Sequence, residues 1–108
     1  MDLSIITVPW NVKELLRANL TELKNNTANI DYEVFAVDNK SADGSVEMLV
    51  RDFPWVNLVA NNYNAGFAKA NNQGLEMASG RYVLLLNPDM RVKPGTLEGM
   101  VRWMDERP

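Results

Sequence analysis

The chain contains no cysteine and no histidine among its 108 residues. The first absence excludes disulfides, zinc–thiolate centres, iron–sulfur clusters and thiol nucleophiles. The second removes imidazole bases, imidazole metal ligands and any Ser–His or Cys–His dyad. Glycine is sparse, and the six glycines, at 44, 66, 74, 80, 95 and 99, form neither GxGxxG nor GxxxxGK[ST]. A nucleotide bound here would therefore not rest in a glycine-rich phosphate cradle. The 11 Lys and Arg are scattered singly and the net charge is −3, which argues against a nucleic-acid partner. No apolar run approaches the ~20 residues of a membrane span. The start, Met1-Asp2-Leu3, lacks the basic residues of a signal peptide. A cytoplasmic domain is the expectation.

What remains is ordinary globular material: 46% apolar and 23% charged residues in the length of one compact domain. The apolar pattern switches repeatedly between short strand-like runs and helical periods. Residues 3–8 are rich in β-branched side chains and too few for a helix. Asn11 stands three residues before Glu14, a capping-box spacing, and Val12, Leu15, Leu16, Leu20 and Leu23 form a helical stripe. Tyr32 to Val37 reads as a second strand; Val46, Leu49, Val50 and Phe53 as a second helix ended by Pro54. Val56 to Ala60 is a third strand, followed by a helix on Phe67, Ala68, Leu75 and Ala78. Tyr82 to Leu86 is the fourth, and a last helix carries Leu97, Met100, Val101 and Met104. Four βα units predict an open, mainly parallel α/β sheet with helices on both faces, since the strands read as continuous apolar runs. By the same periodicity Met48, Met77, Met100 and Met104 are expected in the core.

In such a sheet ligands bind at the carboxyl ends of the strands. The residues there are Pro9-Trp10-Asn11, Asp38-Asn39, Asn61-Asn62 and Asn87-Pro88-Asp89. Trp10 offers a face for stacking a base, although a lone Trp serves equally as a core anchor. Asp38 and Asn39 offer an acceptor and an amide to base or ribose edges. Asp89 supplies a hard oxygen for Mg²⁺ or Mn²⁺, which binds one or two carboxylates plus substrate phosphates. The bland reading is that the thirteen asparagines form turns and caps. Asp43, before Gly44, fits a helix cap better than a ligand contact.

Four blocks of this sequence resemble the start of the family 2 glycosyltransferases. They are Ser4-Ile-Ile-Thr-Val-Pro-Trp-Asn11, Tyr32-Glu-Val-Phe-Ala-Val-Asp-Asn39 leading into Ser41-Ala-Asp-Gly-Ser45, Asn64-Ala-Gly-Phe-Ala-Lys-Ala-Asn-Asn-Gln-Gly74 and Leu84-Leu-Leu-Asn-Pro-Asp89. They follow family order and spacing across nearly the whole chain, and look most like a rhamnosyltransferase-type subgroup that builds cell-surface polysaccharides. The resemblance implies the Rossmann-like GT-A fold, with residues 1–108 as the nucleotide-sugar-binding half and the acceptor half absent. It implies inverting transfer from a nucleotide-diphosphate sugar to a sugar or lipid-linked acceptor. Val8 and Trp10 would line the base pocket, Asp38 would bond the base or ribose, and Asn71 stands where many relatives carry an Arg. Asn87-Pro88-Asp89 stands at the DXD motif, with Asn87 in place of its first Asp and Asp89 as the metal ligand. A carboxylate at Asp38 favours a base with an N–H donor, so the expected donor is a UDP- or dTDP-sugar. Pro9 departs from the family pattern and removes a backbone donor beside the pocket. The family's catalytic base lies downstream of this motif, so none is nominated here. The place of work is cytoplasmic, or peripheral at the inner membrane face.

Two other readings compete with it. A non-catalytic nucleotide-binding or self-associating module would keep the fold without turnover, and a cut sheet exposes an edge suited to homo-oligomers. A nucleotidyltransferase would open with a Gly- and Arg/Lys-rich loop, where this chain has Pro9-Trp10-Asn11-Val12-Lys13.

Overall fold

The structure, a computed structural model, describes residues 1–107. In chain order the elements are β1 (Leu3–Thr7), α1 (Lys13–Asn26), β2 (Tyr32–Asp38), α2 (Ser45–Asp52), β3 (Asn57–Ala60), α3 (Phe67–Met77), β4 (Tyr82–Leu85) and α4 (Thr96–Asp105). The four strands form one sheet in the order β3-β2-β1-β4, every neighbouring pair parallel. Ile5 pairs with Val34 on one side and Leu84 on the other, so β1 is central, and all five of its residues, Ser4 and Thr7 included, are buried. The chain runs from β1 outward to β3 and then returns past β1 to place β4. The reversal puts the topological switch point between β1 and β4, where an α/β sheet opens a crevice at its carboxyl edge.

Side chains alternate across the sheet. Leu3 and Ile5 of β1, with Val34 and Ala36 of β2, pack with Leu16, Leu20 and Leu23 of α1, Met48 and Leu49 of α2, and Leu97 and Val101 of α4. Each fully buried aliphatic side chain contributes roughly 1.5–3 kcal/mol. The opposite face, including Ile6, is covered by α3. That helix buries Ala70, Asn71 and Gly74, not large residues. A Cβ on Gly74 would stand 2.7 Å from Ile6 Cγ2, so the missing side chain is what lets α3 lie close on the sheet.

The strand runs match expectation to within a residue or two, but several packing expectations do not hold. Phe67 and Leu75 lie on the exposed side of α3, because its buried stripe is made of small residues. Leu15 is 52% exposed on α1 and the buried stripe instead takes in Asn19. Of the four methionines expected in the core only Met48 is there; Met77, Met100 and Met104 are exposed. Helices cover both faces over β1 and β2, but β4 is an edge, and its Val83 and Leu85 are 43% and 50% exposed. Beside that edge an apolar groove of about 450 Å³ runs between β4 and α4, lined by Val83, Leu84, Met100, Trp103 and Met104 among others. Among the described residues no helix is long and apolar enough to cross a membrane.

At the amino ends of the strands Glu33 is the fastening. Its Oε2 accepts from Ser4 Oγ at 2.6 Å, from the Ser79 N–H at 2.8 Å and from Ser79 Oγ at 2.9 Å. Burial pushes this carboxyl up, but those bonds outweigh it and hold Glu33 below the ordinary range. The opposite end of the sheet is free for other work.

Candidate functional site

The loops leaving the four strands meet at the carboxyl edge and are tied together by side-chain amides and carboxylates. After β1, Pro9 is buried and Trp10 is 55% exposed, which excludes the core-anchor alternative for Trp10. Asn11 adopts a left-handed backbone (φ 53°), which Asn tolerates. Its Oδ1 accepts the Ala42 N–H at 2.7 Å and its own N–H donates to Ser41 Oγ at 2.9 Å. Asn11 therefore bridges to the loop after β2 and does not form the expected capping box. The α1 start is capped from outside: Asp43 Oδ2 accepts the Lys13 N–H at 3.0 Å. The other oxygen of Asp43 accepts the Ser45 N–H at 3.1 Å and the Ser45 hydroxyl, so one carboxylate closes the amino ends of α1 and α2. The cap reading of Asp43 is correct and extends to a second helix. Burial opposes the charge, yet the bonds from Ser45 and Lys13 hold Asp43 below its usual value.

Asp38 is wholly buried at the end of β2. Its Oδ2 accepts the Ser41 N–H at 2.7 Å and its Oδ1 accepts Ser41 Oγ at 2.6 Å. In this arrangement the carboxylate shapes the turn that carries Lys40 at positive φ. Asp38 is out of reach of solvent, so a base or ribose would meet it only if the surrounding turn shifts. Asn39 is buried too and acts as a hub. Its N–H donates to Pro9 O at 3.2 Å, its Nδ2 to Gly66 O at 3.2 Å, and its Oδ1 accepts from Asn61 Nδ2 and the Ala65 N–H. Asn61 in turn exchanges two amide hydrogen bonds with Gln73 of α3. Asn71, on the sheet-facing side of α3, is buried and donates to Phe67 O at 3.1 Å.

Beyond β4, Leu86 extends the pairing by donating its N–H to Ile6 O at 2.8 Å, and a turn closed by Met90 N–H to Asn87 O at 3.0 Å carries Asn87, Pro88 and Asp89. Asn87 and Asp89 are exposed. From the core side Asn19 Nδ2 donates to Asn87 O and Pro88 O, both at 3.3 Å. Among the described residues no three acidic, His or Cys side chains cluster as a ready metal cage. The donor set at Asp89 is one carboxylate with the Asn87 amide nearby in sequence. That fits a hard cation that keeps several waters and takes its remaining oxygens from a substrate diphosphate.

Val8, Pro9, Trp10, Asp38, Asn39, Asn87 and Asp89 thus lie at the carboxyl edge, with Asn71 on the helix that packs across the strands. Sequence reading placed Asn61 at this edge without a role, and overlooked Ser41 and Asn19. Asn19 was detectable, because positions 16, 19, 20 and 23 share one helical stripe.

The family described as Glycosyl transferase family 2 matches residues 4–108. The chain belongs to that family. It is 31% identical over 110 residues to the "Minor teichoic acid biosynthesis protein GgaB" of Bacillus subtilis, covering 97% of this chain and 12% of that protein. Its fold is similar to that of S. aureus TarS 1-349 in complex with UDP, with TM-score 0.86 and 25% identity over 98% of this chain and 32% of the other. It is also similar to the mannosyltransferase PcManGT of Pyrobaculum calidifontis, in complex with GDP-Man and Mn²⁺, with TM-score 0.82 and 27% identity over 94% and 32% of the two chains. The chain therefore spans about a third of the length of these two solved structures, and an eighth of GgaB.

Proposed function

We propose that this family 2 chain binds the nucleoside-diphosphate part of an activated sugar, a UDP- or dTDP-sugar, at the carboxyl edge of its sheet. The transfer served is inverting, to a cell-surface polysaccharide or lipid-linked acceptor. One observation carries the reading: Trp10 and Asp89 are both exposed and leave neighbouring strands on either side of the switch point. An aromatic face and a hard oxygen ligand at one crevice match the two ends of a nucleoside diphosphate. The UDP complex of TarS and the GDP-Man and Mn²⁺ complex of PcManGT support the assignment by similarity.

In this reading Trp10 stacks the base beside Val8, and Pro9 shapes the wall without offering a donor. Asn39 fixes the distance between the loops after β1, β2 and β3, so the crevice is preformed. Asp38 acts on the base or ribose through the Ser41 turn, and Asn71 sets the floor beneath the nucleotide. Asp89, with Asn87, would hold Mg²⁺ or Mn²⁺, which supplies charge neutralisation to a departing diphosphate. No residue of this chain is assigned as the base that activates the acceptor. The test is equilibrium titration of UDP and dTDP with and without Mn²⁺, beside Asp89→Ala. Metal-dependent binding lost in the variant is expected; binding indifferent to both metal and substitution would remove Asp89 from the site. A second reading, self-association through the β4 edge, is favoured by the exposure of Val83 and Leu85.

A further inference from the structure

The segment after β4 has no regular structure of its own from Asn87 to Lys93, apart from one turn, and α1 holds it by side chains. Asn19 takes the carbonyls of Asn87 and Pro88, Glu22 pairs with Arg91, and Asn26 Nδ2 donates to Val92 O at 2.6 Å. Positions 19, 22 and 26 share one stripe of the helix. They meet the segment in chain order, like fingers laid along it. Asn19 is the innermost of the three: it is 1% exposed, between Leu16, Leu20 and Leu23. Its Oδ1 is buried without a hydrogen-bond partner among the described residues. The amide cannot be turned over to relieve this, because Oδ1 would then face two carbonyl oxygens. An aliphatic residue would avoid the cost of that unsatisfied oxygen. A core position that gives up stability for two bonds to one loop is organised around that loop.

Resting on the functional reading above, we infer that Asn19 is a positioning residue: it fixes the backbone from which Asp89 projects, and Glu22 and Asn26 extend the clasp. Residues that orient a metal-ligating group typically change metal affinity 10–100-fold when removed. The experiment compares the wild-type chain, Asn19→Ala and Leu20→Ala, which disturbs the same helix but leaves the clasp. Two quantities are read: UDP affinity with and without Mn²⁺, and amide hydrogen exchange at residues 86–92.

In Asn19→Ala the Mn²⁺-dependent part of the affinity is expected to fall at least tenfold while the metal-free part is unchanged. The Met90 amide should lose protection while the β1–β4 ladder keeps it, and Leu20→Ala should keep both signatures. Unchanged Mn²⁺-dependent affinity in Asn19→Ala, or an equal loss in Leu20→Ala, overturns the inference. Wild-type protein that binds UDP no better with Mn²⁺ overturns the functional reading and the positioning role with it. In that case hydrogen exchange still shows whether the clasp holds the loop.

Discussion

Asp43 joins two helix starts through one carboxylate, and its removal is a sharp test of how the site is held. In Asp43→Ala the Lys13 N–H loses its acceptor, and so does the Ser45 N–H. Each is the first amide of a helix whose own cap residue, Val12 or Gly44, gives no side-chain bond. Loss of one N-cap costs about 0.5–2 kcal/mol. Two lost caps at a position open to water place the total near 2 kcal/mol, since water recovers part of each bond. For a domain of this size that is a fall in midpoint of about 8 °C.

The pH dependence follows from the depressed value of Asp43. The unfolded carboxyl titrates near 3.9. The stabilisation is therefore complete above that pH and is lost as the pH falls through the lower folded value. The wild type and Asp43→Ala should differ most at pH 7, begin to converge below about pH 4 and go on converging as the pH falls through the lower folded value. Urea unfolding of both proteins at pH 7, 5 and 3 reads this directly. A difference under ~0.5 kcal/mol at pH 7, or one that persists unchanged at pH 3, would refute the double-cap account.

Three further outcomes are expected. Gly74→Ala should lose about 1 kcal/mol in a urea melt, because a Cβ crowding buried Ile6 outweighs a helix-propensity gain of up to ~1 kcal/mol. An equally stable or more stable variant would show that α3 can back away from the sheet. Trp10→Ala should leave stability within ~0.5 kcal/mol, since the ring is exposed, yet weaken nucleotide binding about tenfold. Unchanged affinity would place the base elsewhere. If the edge strand drives self-association, Leu85→Lys should shift light-scattering mass to the monomer. A wild-type chain that is monomeric at high concentration would dispose of that contact.

Much of this architecture was legible because apolar periodicity separates short strands from helices when each is buried in its own way. The strand ends followed from the fold, and with them the location of Trp10, Asp38, Asn39 and Asp89. The errors came where burial was not hydrophobic. The buried stripe of α3 is Ala70, Asn71 and Gly74, so a search for large apolar residues selected Phe67 and Leu75 from the wrong side. Asn19 escaped notice for the same reason. Asn11 and the second role of Asp43, at Lys13, show a different limit: those partners lie about 30 residues away in sequence, and capping rules see only the adjacent turn, where the Asp43 cap of Ser45 was found. Ser41 was invisible as a site neighbour because its importance lies in occupying both oxygens of Asp38.

The central claim is that a nucleoside diphosphate binds at the carboxyl edge of the sheet. It is tested most directly by mapping amide chemical shifts of the labelled chain during titration with UDP and Mg²⁺. The account predicts shifts at residues 8–11, 38–41, 61–66 and 87–90, with the amino-end fastening around Glu33 and Ser79 silent. Shifts confined to the groove between β4 and α4, at residues 82–84 and 99–104, or no shifts at saturating UDP, would contradict it.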